Sequence, residues 1–150
     1  MAGVRAVVNS GEITMGASAT RTVLSIVAAT NQRVLVRSIR LLGKQPAGGT
    51  DTPIKIRCTR AGTGGTTSAL TPAKVDPSDS ETLQTTAKTY TAEPSAVTDA
   101  GFLWEVQPQA AIEEFLPIGE EIKIPGGTQL NWEATTTSGA TLAITVGYEE

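Results

Sequence analysis

The sequence predicts an all-β domain, a jelly-roll-like antiparallel β-sandwich with little helix and one long Gly/Thr/Ser/Pro-rich loop. Three observations carry that prediction. In most of the patterned segments apolar residues recur with a period of two, the mark of a strand with one buried face. Thr, Val, Ile and Gly are frequent and only 18% of residues are charged, a balance that favours sheet and turn over helix. The patterned segments are also divided by short turns bearing Gly or Pro, too short for crossover helices.

The elements follow in chain order. Val4, Ala6 and Val8 alternate with Arg5 and Asn9 as a first strand, and residues 9–12 form a turn. Residues 21–28 read as a second strand, with Leu24 and Ile26 on one face and Val23 and Val27 on the other. Residues 33–42 form the longest apolar run of this half, Val34 and Val36 opposing Leu35, Ile39 and Leu41. Helical spacing of Leu35, Ile39 and Leu42 competes there, but the β-branched content favours strand. Residues 46–53 are a loop, after which Ile54, Ile56 and Cys58 alternate with Lys55, Arg57 and Thr59. From 61 to 100 the periodicity fades into Gly, Thr, Ser, Pro and Asp, a long loop excursion with short strands around 66–70 and 83–90 and a turn or a single helical turn at 76–79.

Order returns with Phe102, Trp104 and Val106 on one face, followed by 112–116. The clearest pattern is C-terminal, in three segments at 120–124, 128–135 and 140–148. Ile122, Ile124, Leu130, Trp132, Leu142, Ile144 and Val146 are expected to face one core. Pro125-Gly126-Gly127 and Thr137-Ser138-Gly139 divide these segments, which reads as an antiparallel β-meander. About eight strands in one domain spanning 1–150, long enough to bury roughly 70% of its unfolded surface, suit a jelly roll that tolerates long loops. An immunoglobulin-like sandwich lacks its Cys…Trp…Cys arrangement.

Composition limits the chemistry. Histidine is absent, which removes Ser-His-Asp and Cys-His nucleophile systems and His-ligated zinc. Cys58 is alone and cannot form an intramolecular disulfide. Net charge is −3 without a basic cluster, so no nucleic-acid partner is expected. No apolar run approaches the roughly 20 residues that span a bilayer, and residues 1–5 lack the apolar block of a signal peptide, so a soluble chain with no membrane partner is expected.

Four groups could carry chemistry. Glu113-Glu114 and Glu120-Glu121 are carboxylate doublets, but neighbours in a strand point to opposite faces, so neither can converge as an acid–base pair. Asp76, Asp79 and Glu81 could offer oxygens to calcium, yet the Asp-x-Asp-x-Asp-Gly order is missing and turn capping is the better reading. Gly62-Thr63-Gly64-Gly65 lacks the Gly-Lys-Ser/Thr of a phosphate loop. Trp104 and Trp132 are in phase with apolar neighbours, as core residues are. No catalytic residue, metal or cofactor is expected, and the reading that remains is a binding or structural module.

Several stretches resemble small virion proteins of tailed bacteriophages. They are Leu70-Thr-Pro, Asp76-Pro-Ser-Asp, Gly101-Phe-Leu-Trp-Glu, Glu114-Phe-Leu-Pro-Ile-Gly, Ile124-Pro-Gly-Gly, Leu130-Asn-Trp-Glu-Ala and Val146-Gly-Tyr-Glu-Glu150. The family they resemble is the capsid decoration proteins, also called cement or head auxiliary proteins, with related virion structural proteins. The resemblance implies a jelly-roll-like fold and a homo-oligomer, a trimer above all. It also implies contact with the major capsid protein on the outer surface of a virion assembled in the host cytoplasm. The alternative is a carbohydrate- or receptor-binding β-sandwich of a tail or fibre, which needs Trp104, Trp132, Tyr90 or Tyr148 exposed. A β-sandwich hydrolase would need convergent carboxylates in a cleft. Once one apolar face per strand is given to the core, Val23, Val27, Leu35 and Leu41 are left over, and they are the expected oligomer interface.

Overall fold

A computed structural model describes residues 3–45 and 50–150; residues 46–49, half of the predicted loop at 46–53, lie outside the described part. The described chain has no helix and thirteen strands: β1 (Arg5–Asn9), β2 (Ile13–Ala17), β3 (Thr20–Val27), β4 (Val34–Lys44), β5 (Ile54–Thr63), β6 (Thr66–Leu70), β7 (Ala73–Lys74), β8 (Thr86–Ala92), β9 (Ser95–Val106), β10 (Ala111–Phe115), β11 (Ile122–Ile124), β12 (Gln129–Thr135) and β13 (Ser138–Glu149).

Two antiparallel sheets enclose one core. The first runs β10-β4-β13-β1-β7, with β11 also on β4 and β2 also on β13; the second runs β6-β8-β3-β12-β5-β9. The pairings nest along the chain, β1 with β13, β3 with β12, β4 with β10 and β11, and β5 with β9. That nesting is the wrapping of a jelly roll, in which paired strands alternate between two sheets. Strands β6, β7 and β8 are an insertion between β5 and β9 that widens both sheets. Ser10 sits where β1 hands over to β2 along β13, exchanging hydrogen bonds of 2.9 Å with the Ile144 carbonyl and amide, so Ile144 keeps both of its backbone groups paired across the interruption.

The predicted β-meander is corrected. β11 and β13 lie in the first sheet and β12 lies in the second, so the two Gly-bearing turns carry the chain across the sandwich. A common buried face is the same signal for neighbours within a sheet and for strands facing each other across a core. Ile122, Ile124, Leu130, Trp132, Leu142, Ile144 and Val146 are all buried in that core, as expected.

The long loop at 61–100 is corrected as well. β5 continues to Thr63, β6 coincides with the short strand expected at 66–70, and β8 begins three residues into the one expected at 83–90. β6 and most of β9 are edge strands exposed along their length, so neither face needs to be apolar and the period of two never appears.

Connections of two residues, Gly64-Gly65 and Glu93-Pro94, join strands from opposite ends of the second sheet. Flat, β5 and β6 would lie about 19 Å apart, more than the roughly 11 Å that three Cα steps can span. The sheet therefore curls over its own outer face. Thr22, Ser25, Thr59 and Asn131 point away from the sandwich core and are nevertheless buried. The Asn131 amide donates to Thr59 Oγ1 (3.2 Å) and the Ala61 carbonyl (3.1 Å), and the Glu93 carboxylate accepts from the Thr22 amide (2.7 Å) and hydroxyl (2.6 Å). Tyr90 packs under the curl, and a Cβ on Gly65 would stand 3.0 Å from its ring and 2.7 Å from the Ala92 carbonyl oxygen. Gly65 takes φ +81°, which only glycine adopts freely.

Candidate interaction surface

The predicted site residues are scattered. Glu113 pairs with Arg40 at 2.8 Å on the outer face of β10, while Glu114 points the other way and accepts the Trp104 indole N–H at 2.7 Å. Glu121 accepts the Gly119 amide at 2.9 Å and a bond from Arg37, and Glu120 is exposed without a charged partner among the described residues. Three of the four carboxylates therefore face separate partners, the fourth stands in solvent, and they share no cleft. Asp76 accepts the Ser78 amide (2.9 Å) and hydroxyl (2.7 Å), and Asp79 accepts the Glu81 amide (3.0 Å), so both cap turns. Among the described residues no three His, Cys, Asp or Glu side chains are placed to hold a metal. Gly64 and Gly65 form the β5–β6 turn with φ +70° and +81°.

Of the four aromatic residues a glycan surface would need, Trp132, Tyr90 and Tyr148 are buried. Trp104 is half-buried at the open edge of the sandwich, its ring 6.2 Å from that of exposed Phe102 and tilted by 12° from it. Cys58 is buried, and burial pushes its thiol well above the ordinary range, so it is held as an unreactive thiol.

The expected interface at Val23, Val27, Leu35 and Leu41 is corrected for two residues. Val23 and Leu41 are buried in the chain's own core. The cause is a β-bulge in each strand. In β3 the register steps from Leu24 opposite Trp132 to Thr22 opposite Glu133, so Val23 is the extra residue and turns inward beside Leu24. In β4 it steps from Val36 opposite Tyr148 to Ser38 opposite Gly147. Arg37 is the extra residue, and beyond it the alternation is reversed, so that Ile39 and Leu41 join Val34 and Val36 inside. Val27 and Leu35 remain half-buried, on the outer faces of different sheets.

Two clefts stand out, one over the outer face of the first sheet and one at the end of the sandwich where β5 meets the β11–β12 turn. The first, about 420 Å³, lies over the Arg37 bulge, with Ser38 and Gly147 in its floor. Val75, Phe115 and Ile118 stand around it, 62%, 72% and 90% exposed. Its cations are answered internally, Arg37 by Glu121 and Glu149 and Arg5 by Glu149 at 3.8 Å, so the surface is apolar and close to neutral. Sequence patterning could not gather these side chains, because Val75 and the 115–118 loop are forty residues apart and meet only through β1, β13 and β4. The second cleft, about 440 Å³, opens beside the curl of the other sheet and is lined by Val27, Arg60, Pro125, Thr128 and Gln129.

No protein-family profile, curated protein or solved structure matches this chain. The two clefts are therefore read on their own chemistry. Large exposed apolar groups gathered at one place on a fold mark contact surfaces, and among the described residues no convergent acid, base or nucleophile lines either cleft.

Proposed function

We propose that this chain is a non-catalytic virion structural protein that binds the outer surface of a tailed-phage capsid and reinforces it, as a homo-oligomer, a trimer, seated on the major capsid protein. The observation that carries the reading is the apolar, charge-balanced cleft ringed by Val75, Phe115 and Ile118. Such a surface gains free energy by being covered by another protein and offers little to a polar small molecule. The sequence resemblance to decoration proteins supplies the kind of partner. A cement protein stabilises a shell by binding its assembled form, which mass action converts into resistance to dissociation. The test is cryo-electron microscopy of the particle encoded with this chain, together with co-sedimentation of purified protein with shells that lack it. Density for the jelly roll at capsomer junctions is expected, and binding lost in Phe115→Asp. Shells that leave the protein wholly in the supernatant would overturn the reading.

A second reading, a glycan- or receptor-binding module of a tail or fibre, is favoured by the parallel Phe102 and Trp104 rings at the edge of β9. Aromatic faces pack on sugars, and the Glu114 carboxylate orients the Trp104 indole. Binding on a glycan array that disappears in Phe102→Ala would select this reading over the first.

A further inference from the structure

The loop that joins β10 to β11 and the cleft beside the curl are complementary in charge and in apolar character. Ile118 is 90% exposed, the chain turns behind it at Gly119 (φ +98°), and Glu120 follows with an exposed carboxylate. Unlike Glu121, that carboxylate has no ionic or hydrogen-bonding partner among the described residues. Half-buried Arg60, on β5 of the other sheet, donates to the Lys123 carbonyl of β11 at 3.1 Å, and among the described residues it has no ion-pair partner. Val27 and Pro125 give this cleft apolar walls, and Gln129 is held at its base by the Ala61 carbonyl at 2.7 Å.

We infer that the occupant of the second cleft is the 118–120 loop of another copy of this chain, with Ile118 between Val27 and Pro125 and Glu120 on Arg60. The charges select this arrangement. A two-fold contact through Val75, Phe115 and Ile118 would cover apolar surface but leave the charges of Arg60 and Glu120 without partners, whereas the knob-in-socket contact pairs them. The knob stands on the β10–β11 loop of the first sheet and the socket at the end of the sandwich, where Arg60, in register with core-facing Leu130, reaches across to the Lys123 carbonyl. The two surfaces differ, so the contact is heterologous, and repeated with a closing rotation it forms a ring, as a trimer requires. The contact rests on the oligomer of the proposed function and deepens it by naming the surfaces.

The experiment is a sedimentation-velocity concentration series on the full chain, wild type against Arg60→Glu, Glu120→Arg, the double exchange and Ile118→Ala. Near-ultraviolet circular dichroism from buried Trp132 checks the fold of each. The expected result is a wild-type mass three times 15.5 kDa. Each charge reversal should weaken assembly at least about tenfold, the scale of close interfacial charge pairs. The double exchange should restore it to within about threefold, as a coupled pair does. A wild-type oligomer indifferent to both reversals overturns this contact and leaves the oligomer standing, and a double exchange that restores nothing overturns the pairing. A wild-type monomer at tens of micromolar overturns contact and oligomer together. Glu120 lies on an exposed loop, so Glu120→Arg keeps the test decisive if a substitution at Arg60 disturbs folding.

Discussion

Truncating Leu130 to Ala tests the core most directly. Leu130 is fully buried on β12, at the centre of the second sheet, opposite Ile26 on one side and Arg60 on the other. The substitution removes three carbon atoms, about 2.4 kcal/mol of transfer free energy at about 0.8 kcal/mol each. A cavity contribution adds to this, because the flanking β3 and β5 are fixed by backbone ladders and cannot close the space, giving a total of about 3–5 kcal/mol. Urea unfolding followed by tryptophan fluorescence should show the midpoint falling with an unchanged slope, the signature of lost stability in a two-state transition. Leu103→Ala is the control, since Leu103 is exposed on β9 and should change stability by no more than about 0.5 kcal/mol. If Leu130→Ala behaves like the control, the register of β12 is displaced by one residue and the core described here is wrong.

Further expectations concern the curl, a carboxylate and the thiol. Gly65→Ala should destabilise more than Gly64→Ala: both positions have positive φ, which costs roughly 1–2 kcal/mol for a side chain, but only at Gly65 would the Cβ also meet backbone, 2.7 Å from the Ala92 oxygen. Equal urea midpoints for the two variants would contradict the folded-over end of the sheet. The Glu121 carboxyl is held below its usual range by its own backbone amide, then by the Gly119 amide and the nearby Arg37 charge. Its contribution is therefore present above the unfolded carboxylate value of about 4.3 and is lost as pH falls toward and through its folded value. Glu121→Gln should flatten the acid limb of a stability-versus-pH curve, and an unaltered limb would remove Glu121 from the account. Cys58 should resist a thiol reagent at mildly alkaline pH in the native protein and react fully in denaturant; rapid native labelling would mean that β5 opens far more readily than its burial implies.

How much of this was legible beforehand depended on the period of two. Strands with one apolar face, such as those containing Ile54, Ile122, Leu130 and Ile144, declared themselves, and so did the turns between them. Together they determined an all-β sandwich with a core that includes the seven C-terminal residues named in advance. The lack of histidine likewise limited the available chemistry without reference to any fold. Edge strands such as β6 were harder to read, since with both faces in solvent they carry no pattern to find. The placement of the clefts was not legible at all. Alternation says that two residues of one strand share a face, but not which strand lies beside it, so a meander and a sandwich crossing looked alike. The bulges at Val23 and Arg37 decided the rest. Each inserts one residue that local sequence does not distinguish from its neighbours, because the reason for it lies in the partner strand: Gly147, where a Cβ would stand 2.5 Å from Ser38 Oγ, and the step between Trp132 and Glu133. Apolar alternation along each strand is readable from residue order alone. On which side of each bulge it faces the core depends on the partner strand, and so does which of Val23, Val27, Leu35 and Leu41 reach the surface.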